Sequence, residues 1–303
     1  MAWGKQGDFM QRTLRIRQFL VVAGAASLLL ATSLTAGAST TGGKYNAADA
    51  KLVPSTYKGK TLQVATDATY APDESMKNGV MVGFDVDMMS AIATTLGVTV
   101  KEHNVTFDSI LLGVGAGTYQ VGNSSITDEK SREKQVNFVD YFQAGEAMYA
   151  KVSTTAKFTG LKSLCGFSVA VESGTTEQKD AQNTAKTCSS SKTLKVLSYP
   201  SQTEADLAVS SGTATFGFLD SQVAGYVVSQ NKGVFKLAGQ AIEIAPYGIA
   251  TSKTSNGKQL AVAMQAALKT LIANGTYGAI LKKWGVSAGA LTSTKIVLNG
   301  AIS

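Results

Sequence analysis

The sequence holds one histidine, His103, in 303 residues. A single histidine does not make a His-based metal centre, and it leaves a Ser-His-Asp hydrolytic triad a poor fit. His103 follows an expected strand and reads as a surface or loop residue. Phosphate chemistry is missing too. No Gly-x-x-x-x-Gly-Lys-Ser/Thr run occurs, so the chain does not hydrolyse ATP. Gly113-Val114-Gly115-Ala116-Gly117 lacks the strand-then-helix setting of a dinucleotide loop and reads as the end of a helix. Nothing in the sequence calls for a cofactor or a metal ion. Charge is sparse at 16% of residues, with a net of +7. Lys5, Arg12, Arg15 and Arg17 against Asp8 place three of those positive charges in residues 1–38, and four remain. The remaining basic residues are scattered, whereas nucleic-acid binding needs a concentrated patch, so no nucleic-acid partner is expected.

Long apolar runs are absent apart from one, Leu20 to Leu34. It follows the basic cluster Arg12, Arg15 and Arg17 and precedes the small residues Ala36-Gly37-Ala38. That order reads as a secretory signal over 1–38, cut after Ala38, and places the mature chain in the periplasm or outside the cell. The competing reading is a permanent anchor. The run is short for spanning a bilayer, and Gly24, Ser27, Thr32 and Ser33 dilute it. No cysteine lies nearby to carry a lipid. The only cysteines, Cys165 and Cys188, are expected to pair in an exported chain, with two free thiols as the alternative. Closing that loop stabilises by about 3 kcal/mol on chain-entropy grounds.

Beyond a flexible lead-in over 39–58, the pattern alternates strands and helices. Thr61 to Thr66 reads as a strand, Asp67 to Glu74 as a loop containing Pro72, and Phe84 to Leu96 as an amphipathic helix. That helix places Val86, Met89, Ile92, Ala93 and Leu96 on one face and ends at Gly97. Further strands are read at Val98 to Val100, Val136 to Phe142, Phe167 to Val171 and Phe216 to Leu219. Helices are read at Phe107 to Val114, Thr203 to Val209, Ser221 to Ser229, Gly257 to Ala273 and Thr276 to Trp284. Alternation of this kind predicts an α/β fold with parallel sheets. The length suffices for two lobes with their own cores.

Several motifs then point one way. They are Gly83-Phe84-Asp85-Val86-Asp87-Met88, Ser125-Ile126-Thr127-Asp128-Glu129-Lys130-Ser131-Arg132, Tyr247-Gly248-Ile249-Ala250, and Asn274-Gly275-Thr276-Tyr277 leading to Lys283-Trp284. From about Lys60 to Val286 the chain resembles the family-3 extracellular solute-binding proteins, which capture polar amino acids for bacterial ABC importers. The resemblance implies a two-lobed, periplasmic-binding-protein-like type II fold with a ligand cleft between the lobes. It sets lobe 1 at 59–141 and 249–287, lobe 2 at 147–243, hinges at 142–146 and 244–248, and a C-terminal tail at 288–303. It also implies a monomer that hands its ligand to a membrane permease.

A free amino acid carries a carboxylate and an ammonium, and each must meet partners when stripped of water. The resemblance assigns Arg132 to the α-carboxylate, where a planar guanidinium donates two parallel bonds. Ser125 and Thr127 match hydroxyl-bearing positions upstream, and Gly174-Thr175-Thr176 matches the second lobe's contribution at a helix start. Asp220 matches the acidic residue for the α-ammonium, with helix N-capping as its other role. Tyr70 and Phe107 match the aromatics that sandwich the ligand side chain. Asp67 matches the position that reaches the ligand's distal group, and Glu172 falls on another pocket-lining position. Two carboxylates there favour a cationic ligand such as arginine, lysine or ornithine, with glutamine next. The sequence departs from the pattern at Glu129, at Asp73 (where an aromatic is usual, so a mouth carboxylate or an exposed one), and at Thr215-Phe216-Gly217. The other readings are an enzyme on the same scaffold, such as a cyclohexadienyl-type dehydratase with Glu172 as general acid, and a sensor ectodomain.

Overall fold

The structure, a computed structural model, describes residues 42–301. The expected leader and its cut after Ala38 lie outside the described residues. In chain order the first part comprises α1 (Ala47–Leu52), β1 (Thr61–Thr66), β2 (Thr69–Tyr70), β3 (Glu74–Lys77), β4 (Val80–Val82), α2 (Phe84–Leu96), β5 (Thr99–Asn104), α3 (Phe107–Gly115), β6 (Val121–Gly122) and β7 (Val136–Lys151). There follow β8 (Ser168–Glu172), α4 (Thr176–Ala185), β9 (Lys195–Tyr199), α5 (Gln202–Ser211), β10 (Phe216–Asp220), α6 (Ser221–Gln230), β11 (Phe235–Leu237), β12 (Ile242–Ser252), α7 (Ser255–Ala273) and α8 (Thr276–Trp284). Among the described residues no helix is long and apolar enough to cross a membrane.

One end of the main sheet runs β5-β1-β6-β12-β7, and the other continues β7-β10-β8-β9. Each end has its own core. Around β1 and β12, the helices α2, α7 and α8 bury Phe84, Ile92, Leu260, Leu268 and Ile280. Around β8 and β10, buried side chains include Tyr149, Val169, Val171, Phe216 and Phe218. Two lobes result, and the chain crosses between them on β7 and β12. These strands pair antiparallel, with register shifts between Ile242 and Ala245 and between Tyr247 and Gly248. The crossings are thus parts of long strands rather than separate linkers. The apolar run of β7 continues through Ala147-Met148-Tyr149-Ala150, all buried, so nothing in it ends the strand.

The motifs hold distant segments together. Asp85, at the start of α2, accepts the Tyr141 hydroxyl at 2.6 Å and the Ser125 backbone N–H at 2.7 Å. Asp87 takes Lys283 Nζ at 2.6 Å and Trp284 Nε1 at 2.7 Å, which pins α8 to α2. Gly97 closes α2 in the left-handed conformation, φ 67°. A Cβ at Gly83 would lie 1.9 Å from the Asp73 carbonyl oxygen, so only glycine lets the 71–74 strap lie against the helix start.

The structure departs from the sequence reading in several places. The 39–58 lead-in contains α1, capped by the Asn46 side chain and tied to α7 by Thr270 Oγ1 donating to Asp49 at 2.7 Å. The Asp67 to Glu74 loop contributes β2 and the first residue of β3 to a small three-stranded sheet with β4. Residues 288–301 include short 3-10 turns, bury Ile296, and pair Leu298 with Val139. His103 lies within β5, its Nε2 at 2.7 Å from Gln63 Oε1. In lobe 2, Cys165 and Cys188 form a disulfide, Cα atoms 5.6 Å apart.

Candidate functional site

The lobes meet at a crevice lined by every residue expected to bind: Asp67, Tyr70, Phe107, Ser125, Thr127, Arg132, Glu172, Thr176 and Asp220. Secondary structure explains the convergence. Asp67 follows β1, while Glu172 and Asp220 are the last residues of β8 and β10. Parallel sheets place functional groups at these carboxyl ends. Phe107 and Thr176 open α3 and α4, and the Phe107 N–H donates to Asp67 in the crevice. Arg132 opens a 3-10 turn. The crevice also takes in Thr175 of the Gly174-Thr175-Thr176 run, and Glu74, Ser124 and Glu177, which the sequence reading did not single out. It is shut down to about 10 Å³ of enclosed space, room for one water at most.

Direct bonds span the lobes. Arg132 Nη1 donates to the Thr127 carbonyl at 2.8 Å, and Nη2 reaches across to the Gly174 carbonyl at 2.9 Å. Its Nε lies 3.7 Å from Glu129, and the guanidinium sits 5.8 Å from the centre of the Phe107 ring. Glu129 also pairs with Lys179 of lobe 2. The Tyr70 hydroxyl donates to Asp220 Oδ2 and accepts from the Asp220 N–H, both at 2.9 Å. Asp220 stands at the N-cap position of α6 but makes no side-chain cap bond. Asp67 is held rigidly, accepting from the Thr69 N–H at 3.0 Å, the Thr69 hydroxyl at 2.7 Å and the Phe107 N–H at 3.0 Å. Glu172 is buried and faces the crevice, accepting the Gln202 N–H at 3.1 Å. Thr176 turns its hydroxyl to Glu177 Oε2 at 3.2 Å. Asp73 does not sit at the mouth. It is fully buried behind Ser125, taking the Ser125 hydroxyl at 2.8 Å and Gln222 Nε2 at 2.6 Å.

The electrostatics are lopsided. Asp67, Glu74, Glu172, Glu177 and Asp220 bring five carboxyl groups to a crevice with one guanidinium. Burial drives their pKa values up. Glu172 rises to about 9, from burial first and then from the Asp67 charge. Asp220 rises to about 7 through burial. Glu74 and Glu177 lie well above the usual carboxylate range, for burial and for Asp85 and Asp220 respectively. Burial lowers Arg132. A larger hollow of about 530 Å³ lies by the crossing strands, between Tyr226 and Trp284, and no charged side chain lines it.

Two α/β lobes facing each other across a charged crevice, joined by paired crossing strands, define a two-lobed solute-binding fold of type II. Residues 62–287 match the bacterial extracellular solute-binding proteins, family 3, and the chain belongs to that family. The chain is 28% identical over 222 residues to the arginine-binding protein ArgT of Corynebacterium glutamicum, with 72% of each chain covered. It superposes on an ancestral arginine-binding protein bound to arginine with a TM-score of 0.70 at 33% identity, covering 75% of this chain and 99% of that one. An ancestral amino acid-binding protein that is a precursor of cyclohexadienyl dehydratase gives 0.64 at 30% identity, covering 74% and 95%.

Proposed function

We propose that this protein captures a free L-amino acid with a cationic side chain (arginine, lysine or ornithine, with glutamine next) outside the cytoplasmic membrane and delivers it to the permease of an ABC importer. The observation that carries the reading is the crevice's composition: five carboxyl groups and one buried guanidinium, drawn from both lobes. Arg132 takes the α-carboxylate, assisted by Thr176 and the α4 N-terminus, and Asp220 takes the α-ammonium. Tyr70 and Phe107 flank the aliphatic stem. Asp67 and Glu172, close enough that the Asp67 charge raises the Glu172 pKa, take the distal cation. An acidic amino acid would be repelled there.

The crevice is too small for an amino acid, so the lobes part about β7 and β12 to admit one. Arg132 then exchanges the Gly174 carbonyl for the ligand carboxylate. A ligand that touches both lobes favours the closed form by its differential affinity. Micromolar affinity corresponds to about −8 kcal/mol. The chain acts as a monomer, and ATP is hydrolysed on separate subunits. Isothermal titration against arginine, lysine, ornithine, glutamine and glutamate tests the reading. Tight glutamate binding with no arginine binding refutes the cationic preference.

A second reading is a dehydratase on this scaffold. It is favoured by Glu172, a proton-holding carboxyl in a dry cleft, and by the likeness to the dehydratase precursor. Turnover of a cyclohexadienyl substrate would support it, and unchanged recovery of the compound would exclude it.

A further inference from the structure

Glu177 is the least explained group in the crevice. It is the second residue of α4, directly after Thr176, and it is only 2% exposed. Its Oε2 accepts the Thr176 hydroxyl, but Oε1 has no hydrogen-bond partner. A buried acceptor without a partner is expensive, about 1–3 kcal/mol and more when charged. Among the described residues no side chain donates to that oxygen. The Arg132 charge acts on Glu177 only through space, its Nη1 and Nη2 bonding the Thr127 and Gly174 carbonyls. The other groups that bear on Glu177 repeat its own sign. Asp220 comes from the end of β10, Glu172 from the end of β8 and Glu146 from β7. The Tyr70 hydroxyl reaches across from the first lobe. Glu146 Oε2 is likewise unpartnered, so it does not satisfy its neighbour.

The position in the crevice fixes which ligand group would meet this oxygen. Glu177 feels Asp220 and Arg132, the α-end of the proposed ligand, whereas Asp67 and Thr69 gather round Glu172 at the other end. We propose that Glu177 is a further ligand-binding carboxyl group, its free oxygen accepting from the ligand's α-ammonium beside Asp220. The inference rests on the crevice taking an amino acid. An ammonium has three N–H donors, and a pair of carboxyl groups matches it better than Asp220 alone. Burial and the neighbouring Asp220 charge disfavour the ionised Glu177 carboxyl, which favours its holding a proton until a ligand cation bonds to it. The incoming ammonium replaces that proton as the neutralising charge, and the proton leaves to solvent. Ligand binding is therefore coupled to proton release.

The test is isothermal titration with L-arginine, L-lysine and L-glutamine, repeated in buffers of different protonation enthalpy to count released protons. Wild-type protein is expected to release protons at neutral pH. Glu177→Gln keeps the shape and the Thr176 contact, and is expected to bind about tenfold to a hundredfold more weakly and to release fewer protons. A purely structural carboxyl would alter thermal stability without altering the proton count. Unchanged affinity and unchanged release in Glu177→Gln, with binding lost in Arg132→Ala, would overturn the role of Glu177 alone. Wild-type binding with no proton release would also overturn it, whether or not the variant folds. Binding of none of the three amino acids by the wild type would overturn the functional reading and this inference together.

Discussion

Raising the pH from 5 to 8 should open the ligand-free protein. Glu172 shows why. With the lobes shut its pKa stands at about 9 against an ordinary 4.5, because burial and Asp67 disfavour its charge. Parting the lobes returns water to it and lets it ionise. The sign follows from linkage: a carboxyl whose pKa is raised in the closed form stabilises that form fully below the ordinary pKa. The contribution is lost as pH climbs from 4.5 toward 9. Each pH unit in that window shifts the open-to-closed ratio by about tenfold per such group. Three units correspond to about a thousandfold from Glu172 alone, an upper bound because the open cleft keeps some burial. Asp220, raised to about 7, adds to the slope below that pH. Small-angle scattering or a fluorophore pair with one dye on each lobe reads the change. Glu172→Gln should flatten the profile while leaving the low-pH dimensions alone. Dimensions that do not move between pH 5 and 8 would refute the reasoning, and so would an identical profile in the variant.

Arg132→Ala should lower ligand affinity by about a hundredfold or more while leaving the circular dichroism unchanged, since it removes a buried charged donor pair. Near-wild-type affinity in a titration would end its assignment to the carboxylate. Gly83→Ala should cost at least about 2 kcal/mol in urea unfolding, because the new methyl would strike the Asp73 carbonyl. Replacing Cys165 and Cys188 together by alanine should cost about 3 kcal/mol by the loop-entropy argument, read in lobe 2, without changing affinity.

The motif residues made both the fold and most of the site legible, and the structure gives the physical reason. Asp85 and Asp87 hold segments far apart in sequence, so their spacing encodes tertiary contacts as well as a helix. Crevice residues at strand ends and helix starts were legible for a similar reason, since α/β sheets offer few such places. Glu177 was hidden because an acidic residue in a first helical turn reads as an ordinary solvent-facing partner of the helix dipole. Its place after Thr176 was the available signal. Glu74 and Ser124 were missed because their neighbours Asp73 and Ser125 drew attention, though Ser124 Oγ bonds Glu74 at 2.7 Å. The burial of Asp73 depends on Gln222, more than a hundred residues away, which no local pattern announces. Helix α1 is six residues long and rich in alanine, and only its docking on α7 distinguishes it from a linker.

The strand pairing at the crossings has an evolutionary consequence. The chain enters the second lobe beside the place where it leaves, with Ala144 opposite Ala245 and Gln143 opposite Pro246. Everything between is one uninterrupted insertion whose ends are already stitched to each other by backbone hydrogen bonds. Such a cassette can be exchanged between relatives without rethreading the remainder. A swap would transplant Glu172, Thr176, Glu177 and Asp220 in one recombination event, leaving the guanidinium jaw to greet a new partner.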